Sequence, residues 1–426
     1  MKKIAYILLV LAVCLICFSG KTIAAQDSSI HLYKLQNGQT VVIDEIHNNP
    51  IVTVDTWVRT GSVNENDKIN GISHFLEHLF FKGTEKHPNG ETARILENMG
   101  AKFNAATSKD FTHFYVTIAS KDTDTAVDLL SDMLLNPAIP QVEFDKEKKV
   151  VLEEIRRSND DIGDKIFKNL TDMVFRGSTY SYETLGTIKS VENISRDEAF
   201  RYYHKYYTPK NMITIVVGDV NPEKTLELIK KDFAQKPLRN DVKSTENDTK
   251  TLEKNLQNIK IDTGNYNTCY MLLGFKGTNL KNLRENQALD LAAEILGGDE
   301  TSRLYKALKE KDNLVTSVYS YHYSMKDISI FVVDTNFDPK NYETVKKIIN
   351  DEIANMVKNG VTQEELDRAK KVYKRAFAFS RESVEDISSG IGYSETLYGN
   401  LDYYTKYVDS KGGTYYVEIL GEILPM

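Results

Sequence analysis

Apolar and polar residues alternate from His31 to Glu45 on either side of Asn37-Gly38, the pattern of two strands joined by a tight turn. Ile51 to Val58 reads as a third strand. At 70–82 the apolar period lengthens to that of a helix, then Lys102 to Thr107 and Thr112 to Ser120 return to strand spacing. Asp122 to Leu135 and Val142 to Arg157 carry apolar residues at helical spacing. Met212 to Val217 is a continuous apolar strand ending at Gly218-Asp219, and Pro222 stands where a helix tolerates proline, in its first turn. Residues 236–256 are polar and charged with no apolar period, which predicts a linker. Beyond them the strand and helix rhythm restarts. Lys260 to Phe275 reads as strand, Glu285 to Leu296 as a helix ending at Gly297-Gly298, and Thr316 to Thr335 as two strands. Long helices are expected at 339–358 and 362–381.

The restart suggests a diverged internal repeat. Phe144-Asp145-Lys146-Glu147-Lys148-Lys149-Val150 resembles Leu366-Asp367-Arg368-Ala369-Lys370-Lys371-Val372, and Ala376 stands at the offset of Glu154. The segment 285–296 holds the place of 70–82 and contains no histidine. Two unrelated α+β domains are the rival reading. The length allows two domains, each with its own core.

The chain as a whole, 41% hydrophobic and 27% charged, has a soluble composition, and the N-terminus departs from it. Lys2 and Lys3 precede an apolar run from Ile4 to Phe18, and small residues follow to Ala25. This run is too short to span a bilayer and reads as a signal peptide over 1–25, cleaved after Ala24 or Ala25. An uncleaved anchor is the alternative. The expected location is the periplasm or the exterior. Loss of Lys2, Lys3 and Lys21 takes the formal net charge from −7 to −10. An acidic chain without a basic stripe excludes nucleic acid as a natural partner. Cys14 and Cys17 leave with the leader, so Cys269 remains alone and no internal disulfide staples the mature chain.

Candidate chemistry concentrates in His74-Phe75-Leu76-Glu77-His78. On a helix this spacing puts two imidazoles and one carboxylate on a single face, able to bind zinc and hold a base beside it. A catalytic zinc ordinarily takes a third protein ligand. Glu147, Glu153 and Glu154 in the helix at 142–157 are all available. Glu147 and Glu154 are two turns apart and share a face, with Glu153 about 100° away. An exposed ion-pair face is the bland alternative for all three, given Lys146, Lys148, Lys149, Arg156 and Arg157. His113, His204 and His322 have no partner spacing and read as structural.

His74 to Thr84 resembles the active-site segment of the M16 zinc peptidases, the inverzincin family of pitrilysin and mitochondrial processing peptidase. Glu154, 76 positions after His78, stands where that family's third ligand stands, with Glu153 as the adjacent runner-up. Phe103-Asn104-Ala105-Ala106-Thr107 resembles the family's substrate-binding edge strand. Tyr207 to Met212 with Gly218-Asp219-Val220, and Gly297-Gly298 with Ser302-Arg303-Leu304, resemble further family segments. The resemblance implies an α+β fold of two similar domains, each a mixed sheet packed with helices, closed as a clamshell. Their boundaries would be 26–235, with the metal, and 257–426, without metal ligands. It implies one Zn2+ per chain on His74, His78 and Glu154, with Glu77 as general base and Glu147 as an accessory carboxylate. Asn104 and Ala105 would bind substrate, and the activity would be zinc-dependent endopeptidase action on peptides or unfolded segments.

Two features depart from the family pattern. Members that act alone carry an arginine and a tyrosine in the second half, at positions matched here by Lys309 and Thr316. Lysine lacks the planar fork of arginine, and threonine cannot reach as a phenol does. The alternative function is therefore a non-catalytic or partner-dependent peptide-binding subunit. Its partner would be a paralogous chain supplying the arginine and tyrosine, or a second copy in a homodimer. The end of the chain is the other departure, with Lys411-Gly412-Gly413-Thr414 leading into a short apolar tail where a further helix and strand are expected.

Overall fold

In the computed structural model residues 29–233 and 266–406 are described. The expected leader at 1–25, the linker at 236–256 and the tail after Thr414 lie outside them. Strands β1 (Ser29–Lys34) and β2 (Thr40–Glu45) form the expected hairpin. Its loop closes through a 2.9 Å bond from Leu35 N–H to the Gln39 carbonyl, with Gly38 at φ +84°, a conformation glycine adopts freely. β3 (Ile51–Val58) leads into helices α1 (Ile72–Phe80) and α2 (Glu91–Asn98). A second hairpin, β4 (Lys102–Thr107) and β5 (Thr112–Ala119), precedes α3 (Thr123–Leu135), α4 (Gln141–Asp160) and α5 (Ile162–Val174). Then come α6 (Ile188–Asn193), α7 (Arg196–Tyr206), β6 (Met212–Gly218) and α8 (Pro222–Phe233).

The first sheet runs β1-β2-β6-β3-β5-β4, and only the β2–β6 pair is parallel. β6 lies inside this sheet with every residue buried, which is why its sequence is apolar without alternation. α1 buries Phe75, Leu76, Leu79 and Phe80 in the core beneath the sheet, among Phe114, Phe144, Tyr203 and Tyr207. Its opposite face is left to His74, Glu77 and His78. β4 ends the sheet, so one backbone edge pairs with β5 and the other with no described strand.

The second half repeats part of this plan. β7 (Cys269–Lys276), α9 (Leu283–Gly297), β8 (Val315–Ser324) and β9 (Ser329–Phe337) are followed by α10 (Tyr342–Asn359) and α11 (Gln363–Phe379). The sheet order β7-β9-β8 reproduces β3-β5-β4, and α9 occupies the place of α1. α4 and α11 correspond from their first residues, which puts Ala376 at the place of Glu154. Among the described residues the strand expected from Lys260 starts only at Cys269.

The halves share cores. α12 (Val384–Tyr393), before the short α13 (Asp402–Lys406), lays Ile387 and Ile391 on the outer face of the first sheet against Trp57, Ile213 and Ile215. Gly392 faces the Trp57 indole so closely that any Cβ would collide with it. A second junction joins Val63, Leu170, Phe175 and Tyr180 to Met325, Ile328, Ile330 and Val332. There the buried Asp110 accepts from Tyr180 Oη at 2.7 Å and from Lys326 N–H at 3.0 Å. No described helix is long and apolar enough to cross a membrane.

Candidate metal centre

α1 starts at a glycine for a steric reason. Gly71 has φ +94°, and a Cβ there would lie 2.6 Å from the Leu185 carbonyl oxygen. With no side chain at this cap, the first turn takes its acceptor from Glu65, six residues upstream. Glu65 Oε2 accepts from Gly71 N–H at 2.7 Å and Asn70 Nδ2 at 2.8 Å, and Oε1 accepts from Ser73 N–H at 2.9 Å. Burial pushes the Glu65 carboxyl up to about 7 although these donors pull it down.

One turn further on, His74 and His78 meet. Their Nε2 atoms are 3.2 Å apart, and Glu154 Oε2 on α4 lies 3.8 Å from His74 Nε2 and 3.5 Å from His78 Nε2. Among the described residues this is the one group of three or more His, Cys, Asp and Glu whose donor atoms all lie within 4.8 Å of one another. Ligands bonded to zinc at about 2.0–2.1 Å in tetrahedral geometry are separated by about 3.3 Å, so the triangle fits such an ion. The chemistry fits as well. His78 Nδ1 lies 2.9 Å from Glu147 Oε1, and a carboxylate can only accept, so Nδ1 carries the proton and Nε2 presents a lone pair. Burial and the neighbouring His78 hold His74 down to about 3, keeping it neutral, as a metal ligand must be. His74 Nδ1 is buried with no hydrogen-bond partner among the described residues.

Around this triangle the charges are ordered. Burial works against a charged His78, but the Glu147 hydrogen bond and the Glu154 charge outweigh it and raise its pKa. Burial likewise opposes an ionised Glu147, yet His78 and Lys82, whose Nζ sits 2.7 Å from Oε2, hold it below its ordinary value. Glu77 stands beside the triangle without joining it. Thr107 Oγ1 donates to its Oε2 at 2.5 Å, and burial raises its pKa against that bond.

The structure separates the sequence candidates. Glu153 points away from the site, pairs with Arg156 at 3.1 Å and leaves 61% of its side chain exposed. Asn104 is exposed on β4, whereas the Ala105 side chain is buried in the core, leaving only its backbone at the edge. Beside β4 a small apolar pocket is lined by Phe81, Leu96, Phe103, Asn104, Tyr115 and Met133. His113 pairs with Asp55 at 3.2 Å and His322 with Asp290 at 2.7 Å, and neither joins the triangle, although His113 lies near enough to Glu77 to act on its charge. Lys309 lies in a π-helical turn, Tyr305–Glu310, and donates to the Val315 carbonyl at 3.0 Å. Thr316 is exposed where the β8–β9 register slips between Val315 and Ser317. Glu65 carries no motif in the sequence, and Thr107, although it ends the segment that resembles the edge strand, gives no sign there of its bond to Glu77, because each acts on α1 across a loop or from another strand.

Comparison with known proteins gives a consistent picture. The family described as Insulinase (Peptidase family M16) matches residues 40–188, and the Peptidase M16 inactive domain matches 193–373. An uncharacterized zinc protease of Bacillus subtilis, YmxG, is 31% identical over 373 residues, 87% of this chain and 89% of that protein. The Helicobacter pylori zinc protease PqqE is 28% identical over 385 residues, 88% of this chain and 86% of its own. The crystal structure of a protease from Helicobacter pylori superimposes with a TM-score of 0.84 at 25% identity, covering 93% of this chain and 97% of that one. A chain of Complex III2 from Candida albicans shares the fold at TM-score 0.77 and 19% identity, covering 92% of each chain.

Proposed function

The chain belongs to peptidase family M16, and we propose that it is a zinc-dependent endopeptidase acting on peptides or unfolded segments in an exported setting. The convergence of His74, His78 and Glu154 beside an unbound carboxylate, Glu77, carries this reading. Zinc held by these three would lower the pKa of a water towards 7 and polarise a peptide carbonyl. Glu77 would accept the proton of the attacking water and pass it to the leaving amine. Thr107, fixed on β4, would keep Glu77 aimed. The open edge of β4 would pair with an extended peptide through backbone hydrogen bonds, with the Asn104 side chain in reach and Ala105 contributing backbone alone. Glu147 would hold His78 in its tautomer.

The test is metal analysis with a peptide-cleavage assay on the purified chain, with one zinc per chain expected. Alanine at His74, His78 or Glu154 should strip the zinc. Full occupancy in Glu154→Ala would reject that ligand, and Glu147 would be the next carboxylate to test. Thr107→Val should keep the metal and lower kcat roughly tenfold, the loss of about 1.5 kcal/mol typical of a hydrogen bond to a charged group. An unchanged kcat would remove Thr107 from the mechanism. A second reading, a subunit that binds peptide and depends on a partner, is favoured by the engagement of Lys309 with its own backbone.

A further inference from the structure

We infer that Glu65 is a positioning residue for the metal site: its carboxylate pins the first turn of α1 and so fixes how His74, Glu77 and His78 face α4. This rests on the reading of those residues as the reactive site. The first N–H groups of a helix have no intrahelical acceptor, and a nine-residue helix such as α1 does not hold its shape alone. Glu65, only 5% exposed, serves the amides of both Gly71 and Ser73 with one carboxylate, and its charge opposes the positive end of the helix dipole. Ser73 immediately precedes His74, so a shift of this turn moves the first ligand directly. The same turn is held from the other side. Ser73 Oγ bonds Tyr202 Oη at 2.8 Å, which bonds Thr60 Oγ1 at 2.8 Å, and Gly71 abuts Gly186 with no space for a Cβ on either.

Burying a carboxylate is unfavourable, and Glu65 is buried with the amides of Gly71 and Ser73 and the Asn70 side chain as its donors. A buried carboxylate whose two backbone bonds both go to the start of one helix, with Asn70 Nδ2 tying it to the Glu183 carbonyl, points to alignment more than to general stability. Glu65→Gln preserves the volume, but its Nε2 would confront an N–H donor, and one first-turn amide would lose its acceptor.

The experiment uses the full chain. Hydrogen exchange across residues 72–80 of the metal-free protein should quicken at least tenfold in Glu65→Gln, with β3 and β6 unchanged. The zinc dissociation constant, read by chelator competition, should rise at least tenfold. Asp110→Asn, which weakens a buried carboxylate clasp between the halves, should lower Tm and leave both readouts at wild-type values. If Glu65→Gln does not fold, wild-type exchange decides: the Gly71 and Ser73 amides should exchange as slowly as those of β6, and fast exchange there overturns the inference. Wild-type exchange at 72–80 in the variant, or unchanged zinc affinity, also overturns it. Because exchange is read without metal, a wild-type chain that neither binds zinc nor cleaves peptide would refute the proposed function separately.

Discussion

Glu77→Gln is expected to leave the chain fully loaded with zinc and to slow peptide hydrolysis by about 10² to 10⁴, the usual span for loss of a general base. The geometry argues for both halves of that result. The triangle of His74 Nε2, His78 Nε2 and Glu154 Oε2 is complete without Glu77, so the metal has no reason to leave. Glutamine matches glutamate in size, and its carbonyl can still accept from Thr107 Oγ1, so the side chain should stay in place. What it cannot do is take a proton. The raised pKa of Glu77, caused by burial, brings the carboxylate closer to the basicity that abstraction from water requires near neutral pH. Metal analysis beside a turnover assay separates the outcomes. Turnover comparable to wild type would reject the base assignment, and loss of zinc would show that Glu77 belongs among the ligands.

The sequence carried much of this site because its chemistry is local. A helical period is enough to put His74, Glu77 and His78 on one face and to give Glu147 and Glu154 a common face. The structure has that second face turned to the histidines, with Glu147 buried and Glu153 in solvent. The choice between two adjacent glutamates thus follows from helix phase. What the period could not show is anything that depends on pairing across the chain. Glu65 reaches α1 through a loop, and nothing in its spacing resembles an ordinary cap at three residues. Thr107 meets Glu77 only because β4 runs beside α1. Ala105 has small size and a place on the edge strand, yet tertiary packing turns its side chain into the core. α7 is not among the helices expected from the sequence: Ser195 and Glu198 form a reciprocal capping box in the structure, and Tyr202, Tyr203 and Tyr206 bury a face that polar neighbours mask in the sequence. The packing of α12 against Trp57 lies beyond any local rule, since it joins positions over three hundred residues apart.

The purified wild-type chain, even with its zinc in place, is expected to cleave peptides weakly, and a paralogous subunit carrying the arginine and tyrosine should raise its rate by about 10² to 10³. Loss of one donor to a developing oxyanion typically removes about 3 kcal/mol of transition-state stabilisation, which corresponds to that factor. Within this chain the matching positions are poorly placed to supply such a donor. The Lys309 ammonium is engaged by the Val315 carbonyl at 3.0 Å, and moving it to a substrate would first break that bond. Thr316 sits at a register slip, where the strand bends and the side chain direction departs from simple alternation. Lys309→Arg with Thr316→Tyr should therefore recover only part of the missing rate, because an arginine in the π-helical turn and a tyrosine at an unaltered bulge will not both reach a substrate carbonyl. Steady-state kinetics of the chain alone, of the double variant and of the chain with its paralogue would order the three. Robust cleavage by the unassisted wild-type chain would refute the dependence. Tyr319 would then be the residue to examine first, since it is 57% exposed on β8 three positions beyond Thr316, and Tyr319→Phe would remove the most exposed phenol of that strand.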